Sequence, residues 1–191
     1  SMVGVIPLLA AVVVDEEAIG RAEAVGKAFP RLLDELGGPG RLAEQGLVKG
    51  EPGNRRLLLG VVGVDHLTKL LAKLFDETEF LSPYGLRALS AFHRDHPYEL
   101  EVEGFRASID YEPAESTTAM FGGNSNWRGP IWFPLNYLLI SALERYHRFY
   151  GADLELEYPT GSGQRLTLDL IAADLQDRLI SLFTRDADGR R

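Results

Sequence analysis

Two stretches, 134–150 and 168–183, repeat their apolar residues at helical spacing, and this constrains the fold more than anything else in the chain. Leu135, Leu138, Leu139, Ala142, Leu143, Tyr146 and Phe149 fall on one face of the first. Leu168, Ile171, Leu175, Leu179, Leu182 and Phe183 do so in the second. A helix with one apolar stripe is marginal alone in water and must bury that stripe against a partner. Two further stripes, Val64, Leu67, Leu70, Leu71, Leu74, Phe75 and Ala18, Ile19, Ala22, Val25, Phe29, repeat the pattern. Start and stop signals agree. Asp15 precedes Glu16 and Glu17, Pro134 suits a first helical turn, Gly151 follows a last one, Asp65 is a candidate cap, and Thr167 stands before Asp169. The spacing predicts four substantial helices.

Strand content is predicted to be minor. The stretch "YELEVEGFRASIDYEP" alternates polar and apolar residues around Gly104, the signature of a hairpin, and "LELEY" suits a short strand before the turn "PTGSG". The Gly-rich run up to Asn54 reads as loop, and Pro83 and Gly85 break regular structure. The opening "SMVGVIPLLAAVVVD" is apolar but shorter than the roughly 20 residues needed to span a bilayer. It also lacks the basic start and cleavage site of a signal peptide. A buried segment is expected, with no membrane partner. An apolar beginning with no polar lead-in suits a piece cut from a longer chain.

The 191 residues carry a net charge of -8, which argues against nucleic acid, whose binders need a basic face. No cysteine is present, so thiolate chemistry and cysteine-held metals are excluded. The expected compartment is the cytoplasm.

Both tryptophans of the chain, Trp127 and Trp132, stand in "GGNSNWRGPIWFPLNY" at 122–137, beside Arg128 and close to Gly122, Gly123 and Gly129. Aromatic faces with a guanidinium and nearby amides suit a sugar, whose C–H face stacks while its hydroxyls are hydrogen-bonded. The same residues also suit a tight turn in which both rings are core anchors. Glu112 and Glu115 in "YEPAEST" offer paired carboxylates of the kind that hydrolyse glycosidic bonds, or two solvated charges. His93 and His96 flank Asp95 at close spacing, but no third metal ligand is evident, and no metal or cofactor is expected. "YPTGSG" lacks the P-loop lysine and reads as a turn.

The stretch "GGNSNWRGPIWFPLNYLLI" resembles the motif of glycoside hydrolase family 63, specifically bacterial members related to mannosylglycerate hydrolase and to processing α-glucosidases. "MVGVIPLLA", "DETEFLSPYGLRALS", "YEPAES" and "YPTGSG" support the resemblance in a plausible order along the chain. It implies a mainly α fold, part of an (α/α)6 toroid of the six-hairpin glycosidase kind, with one or two short β-hairpins. It implies inverting hydrolysis of α-linked glucosides or mannosides by a general acid and a general base with water between them. The family's acid lies in an early "SGMD"-like segment, and its base is a glutamate near the C-terminus. This sequence has no "SGMD"-like stretch and ends at "DADGRR". The expectation is therefore a single partial domain over 1–191, a fragment of the catalytic barrel with neither catalytic carboxylate and no turnover alone. Tyr84, Gly85, Arg87, Asn124, Asn126, Trp127, Arg128 and Trp132 are the implied substrate contacts. A truncated ring would self-associate as a homo-oligomer through exposed helix faces. The competing readings are a non-catalytic carbohydrate-binding domain and a helical interaction domain.

Overall fold

The computed structural model describes residues 1–21, 31, 34, 35, 37–115, 117, 127–185 and 189. The predicted stripe positions Ala22, Val25 and Phe29 lie outside these residues, as do Asn124 and Asn126.

Two long helices form the centre. Helix α5 (Phe133–Tyr150) starts with a proline in its first turn and closes at Gly151, and α6 (Leu168–Ser181) follows Thr167. They pack on each other along their stripes. Leu139, Ala142, Leu143 and Tyr146 of α5 and Leu168, Ile171, Ala172, Leu175 and Leu179 of α6 are all within 4% of full burial. Each fully buried leucine contributes about 1.5–3 kcal/mol relative to exposure. The stripes end sooner than their spacing predicts. Leu138, Leu182 and Phe183 are 43%, 38% and 67% exposed, because α6 gives way to turns after Ser181 and Leu138 faces away from it.

Ahead of this pair, a short 3-10 turn at 2–5 leads into α1 (Ile6–Leu9), β1 (Val12–Asp15) and α2 (Glu16–Arg21). Next come α3 (Gly38–Glu44), β2 (Val48–Lys49), β3 (Arg56–Leu59) and α4 (Val64–Leu74). Strands β1 and β2 flank β3 in an antiparallel sheet, with Val13 opposite Leu58. The sheet and α1 lie against α5 and, with the 3-10 turn, add Met2, Leu8, Val13 and Leu58 to one shared core. Loop was expected at 38–44, where a helix forms with Pro39 in its first turn. Asp65 lies inside the first turn of α4, and the N-cap is Gly63.

Three more antiparallel pairs complete the described residues: β4 (Leu81–Ser82) with β5 (Gly85–Leu86), β6 (Tyr98–Val102) with β7 (Phe105–Ile109), and β8 (Glu155–Glu157) with β9 (Arg165–Thr167). The predicted hairpin around Gly104 is β6–β7, and the predicted strand at "LELEY" is β8.

The expectation of a mainly α chain forming part of an (α/α)6 toroid does not hold. The described residues carry nine strands in four antiparallel sheets beside helices of which only α4, α5 and α6 exceed two turns. The cause is local. Leu57–Leu59 are apolar, and Gly60 and Gly63 separate them from the helical stripe that begins at Val64. The run is then better served by extended pairing with Val12–Val14, whose β-branched side chains favour a strand.

Candidate functional site

A cleft forms where two of the sequence-flagged segments meet. One wall is the β4–β5 hairpin, whose two-residue turn is Pro83–Tyr84. The Ser82 hydroxyl donates to the Gly85 carbonyl at 2.7 Å and accepts the Tyr84 amide at 3.2 Å, closing the turn on itself. Tyr84 is left 53% exposed at the tip. Behind the tip the hairpin is clasped by α5. Asn136, 1% exposed, accepts the Leu86 amide at 2.7 Å and donates to the Leu86 carbonyl at 2.9 Å and to the Trp132 carbonyl at 3.0 Å. Gly85 has φ +118, and a Cβ there would sit 3.0 Å from both Asn136 Oδ1 and Leu179 Cδ2. Glycine answers both the backbone and the space.

The facing wall is the segment 129–131. Arg87 pairs with Ile131 in an isolated bridge, and the Ala88 amide donates to the Pro130 carbonyl at 3.0 Å. Gly129, at φ +138, lies under the Tyr111 ring so closely that a Cβ would come within 2.5 Å of it. Tyr111 in turn takes the Arg94 guanidinium over its face at 5.0 Å. Tyr84, Arg87, Tyr111, Pro113, Gly129 and Ile131 enclose about 300 Å³. That is the lower end of the range for small-molecule pockets, about 300–1,000 Å³.

The expected contact residues are distributed unevenly around this cleft. Tyr84 and Arg87 line it. The Arg87 guanidinium also donates to the carbonyls of Leu81 and Glu77, which fixes it along the hairpin. Gly85 is buried behind the tip. Arg128 is 1% exposed and pairs with Asp110 and, at 2.8 Å, with Glu112. A buried guanidinium needs such partners. Glu112 also accepts the Thr117 amide at 3.2 Å, so it serves as a counter-ion, while Glu115 is exposed. Trp127 and Trp132 meet edge to face at 4.2 Å, both partly buried against the core. Trp127 borders a separate hollow of about 230 Å³ with Val3, Leu89 and Ile109.

His93 Nδ1 lies 2.9 Å from the His96 carbonyl, and His96 Nδ1 lies 3.3 Å from that of Phe92, so both rings serve their own turn. No group of three or more metal-ligating side chains occurs among the described residues. No described helix is long and apolar enough to cross a membrane.

Three ionisable groups outside the cleft lining are shifted by their surroundings. The Ser90 hydroxyl, and after it Lys73 at 3.0 Å, holds the Glu79 carboxyl below its ordinary range against the opposing effect of burial. Burial, and next the bond to Asp174, pushes the Tyr158 phenol far above its ordinary value, so it stays a proton donor. Burial likewise raises Tyr146, to about 12.

Sequence reasoning missed Tyr111 and Asn136. Tyr111 heads the stretch "YEPAES", but nothing there sets it apart as a cleft residue. Asn136 carries a local signal, being an amide four residues after Trp132 within a predicted apolar helix, where an unpaired polar group would not be tolerated.

The chain belongs to glycosyl hydrolase family 63. Residues 56–160, which contain both walls of the cleft, match the model of the family's C-terminal domain. Among relatives, the chain is 42% identical to the uncharacterized protein YMR196W of Saccharomyces cerevisiae over 198 aligned residues, covering 100% of this chain and 18% of that protein. It is 32% identical over 114 residues to the probable mannosyl-oligosaccharide glucosidase of Schizosaccharomyces pombe, covering 58% of this chain and 10% of that one. The chain thus spans less than a fifth of the length of these relatives. No solved structure matches it.

Proposed function

We propose that the cleft between the Tyr84 hairpin and Gly129–Ile131 is part of a sugar-binding site of an inverting α-glycosidase acting on α-linked glucosides or mannosides. The chain, one partial domain of the catalytic region, supplies contacts and neither catalytic carboxylate. One observation carries the reading: the cleft collects an exposed tyrosine, a second aromatic ring and a guanidinium beside side-chain-free backbone, within the segment that matches the family. Aromatic faces and a few placed polar groups are what a pyranose needs. The glucosidase description of the Schizosaccharomyces pombe relative favours glucose over mannose.

In this reading Tyr84 and Arg87 touch the sugar, and Gly85 and Gly129 let backbone approach it. Arg128 fixes Asp110 and Glu112 behind the wall, and the Trp127–Trp132 pair holds the segment to the start of α5. Asn124 and Asn126 complete the set as contacts. Inversion requires a separate acid and base about 6.5–9.5 Å apart, both from outside this chain. Self-association would use the apolar groove between α5 and α6, where Phe133 and Phe183 meet edge to face at 5.8 Å.

The test is hydrolysis of α-linked gluco- and manno-oligosaccharides with release of the β-anomer. The full-length protein turns them over and the 191-residue chain does not. Turnover by the chain alone, or none by the full-length protein, contradicts the reading.

A further inference from the structure

The motif "YPTGSG" and the polar positions of α6 take no part in the cleft lining, yet they reach it through one connected set of bonds. Tyr158 is 2% exposed and donates its hydroxyl proton to Asp174 Oδ2. Arg178, one turn further along α6, donates from Nε to the same Oδ2 at 2.6 Å. Its Nη1 donates to the Ser82 carbonyl at 2.8 Å, across 96 residues of chain. The Arg178 guanidinium also lies 5.8 Å from the Tyr158 ring centroid.

Ser82 is where this set acts. Its carbonyl is held by Arg178, and its hydroxyl bridges the Tyr84 amide and the Gly85 carbonyl. Four residues on, Asn136 holds both backbone groups of Leu86. The exposed tip, Pro83–Tyr84, is therefore fixed on one side by α6 and on the other by α5. A two-residue turn has two soft backbone torsions per residue, Pro83 fixes one of them, and five bonds hold the turn and its ends. Packing alone would not require a guanidinium reaching from a helix to one carbonyl. A planar fork whose Nε is pinned by a carboxylate sets a direction, which an ammonium on a flexible stem does not.

We propose that Arg178 is a positioning residue: by holding the Ser82 carbonyl, with Asp174 and Tyr158 fixing its guanidinium, it sets the direction in which Tyr84 meets the substrate in the cleft. The inference rests on the cleft being a sugar site and goes beyond it by naming what aims its tyrosine.

A double-mutant cycle in the full-length protein tests it, with KM, kcat and Tm measured on an α-linked gluco-oligosaccharide. Arg178→Lys is expected to raise KM roughly fivefold, the worth of one hydrogen bond of about 1 kcal/mol, with kcat within about twofold. Tyr158→Phe shifts KM in the same direction by less, and it carries the test where Arg178→Lys does not fold. In a Tyr84→Ala background neither substitution moves KM further, because the effect runs through Tyr84. An unchanged KM, or the same fold-change with and without Tyr84, overturns the proposal. Should the wild-type protein cleave no α-linked substrate, the sugar reading falls, and amide hydrogen exchange decides the positioning claim. Lost protection at Tyr84 and Leu86 in Arg178→Lys, with α5 unaffected, supports it. Unchanged protection overturns it.

Discussion

Two hairpins of similar make stand in opposite circumstances. The β4–β5 pair is two residues per strand, buried except at its tip, and its backbone is gripped by Asn136 and Arg178 from two helices. The β6–β7 pair is five residues per strand, and every residue of β6 is exposed. Its register places Tyr98, Leu100 and Val102 opposite Ile109, Ala107 and Phe105, all apolar and on one face. The other face carries Glu99, Glu101, Arg106 and Ser108, with Glu99 and Arg106 paired at 2.7 Å. The outer hairpin is held by its own ladder and by Arg128, whose partner Asp110 directly follows β7. The inner one is defined by tertiary bonds to backbone atoms. Tertiary bonds to backbone are therefore concentrated in the smaller hairpin, and that is the one placed at the cleft.

Breaking this contrast ranks its parts. The largest effect is expected from Arg128→Met, which takes a buried guanidinium away from Asp110 and the partly buried Glu112 and releases the base of the outer hairpin. Removing one partner of a buried ion pair costs about 3–5 kcal/mol, read as the loss in chemical denaturation. Asn136→Ala follows, since it leaves the Leu86 amide and carbonyl buried without partners, at about 1–3 kcal/mol for each such group. Gly129→Ala comes next, at about 1–3 kcal/mol, because the new Cβ meets the Tyr111 ring at a positive φ. Glu79→Gln probes the approach to the inner hairpin, where Glu79 binds Ser90 and Lys73. Its folded carboxyl ionises more readily than the unfolded one, so its contribution is present above the ordinary value of 4.5 and is lost as pH falls through the lower folded value. The substitution is expected to cost about 1–2 kcal/mol at pH 7, with the gap from wild type closing as pH falls through the lowered folded value. Smallest of all is Phe105→Ser in the outer hairpin, 71% exposed, whose effect stays within about 0.5 kcal/mol.

The same contrast explains what the sequence could disclose. The outer hairpin is written in alternation around Gly104, and α5 and α6 in stripes at helical spacing, so local period alone locates them. The inner hairpin has two-residue strands and no period. It exists because side chains at 136 and 178 reach its backbone, and no local pattern encodes a partner 50 or 96 residues away. The toroid expectation failed for a related reason. Leu57–Leu59 suit a helix or a strand until β1 supplies an edge to pair with. At the cleft, Tyr84 and Arg87 come from the expected contact set, while the place of Tyr111 on the wall depends on the close approach of Gly129. Trp127 and Arg128, the most conspicuous residues of the sequence, lie beside the cleft and not on its wall, the indole against a second hollow and the guanidinium in an ion pair.

The most direct measurement is kcat/KM of the full-length protein on an α-linked gluco-oligosaccharide for Tyr84→Ala beside Phe105→Ser. The inner-hairpin variant should fall about tenfold or more, the worth of about 1.4 kcal/mol of lost transition-state binding, and the outer one should match wild type. Equal activity in both, or a loss confined to Phe105→Ser, would contradict a sugar site at the Tyr84 cleft.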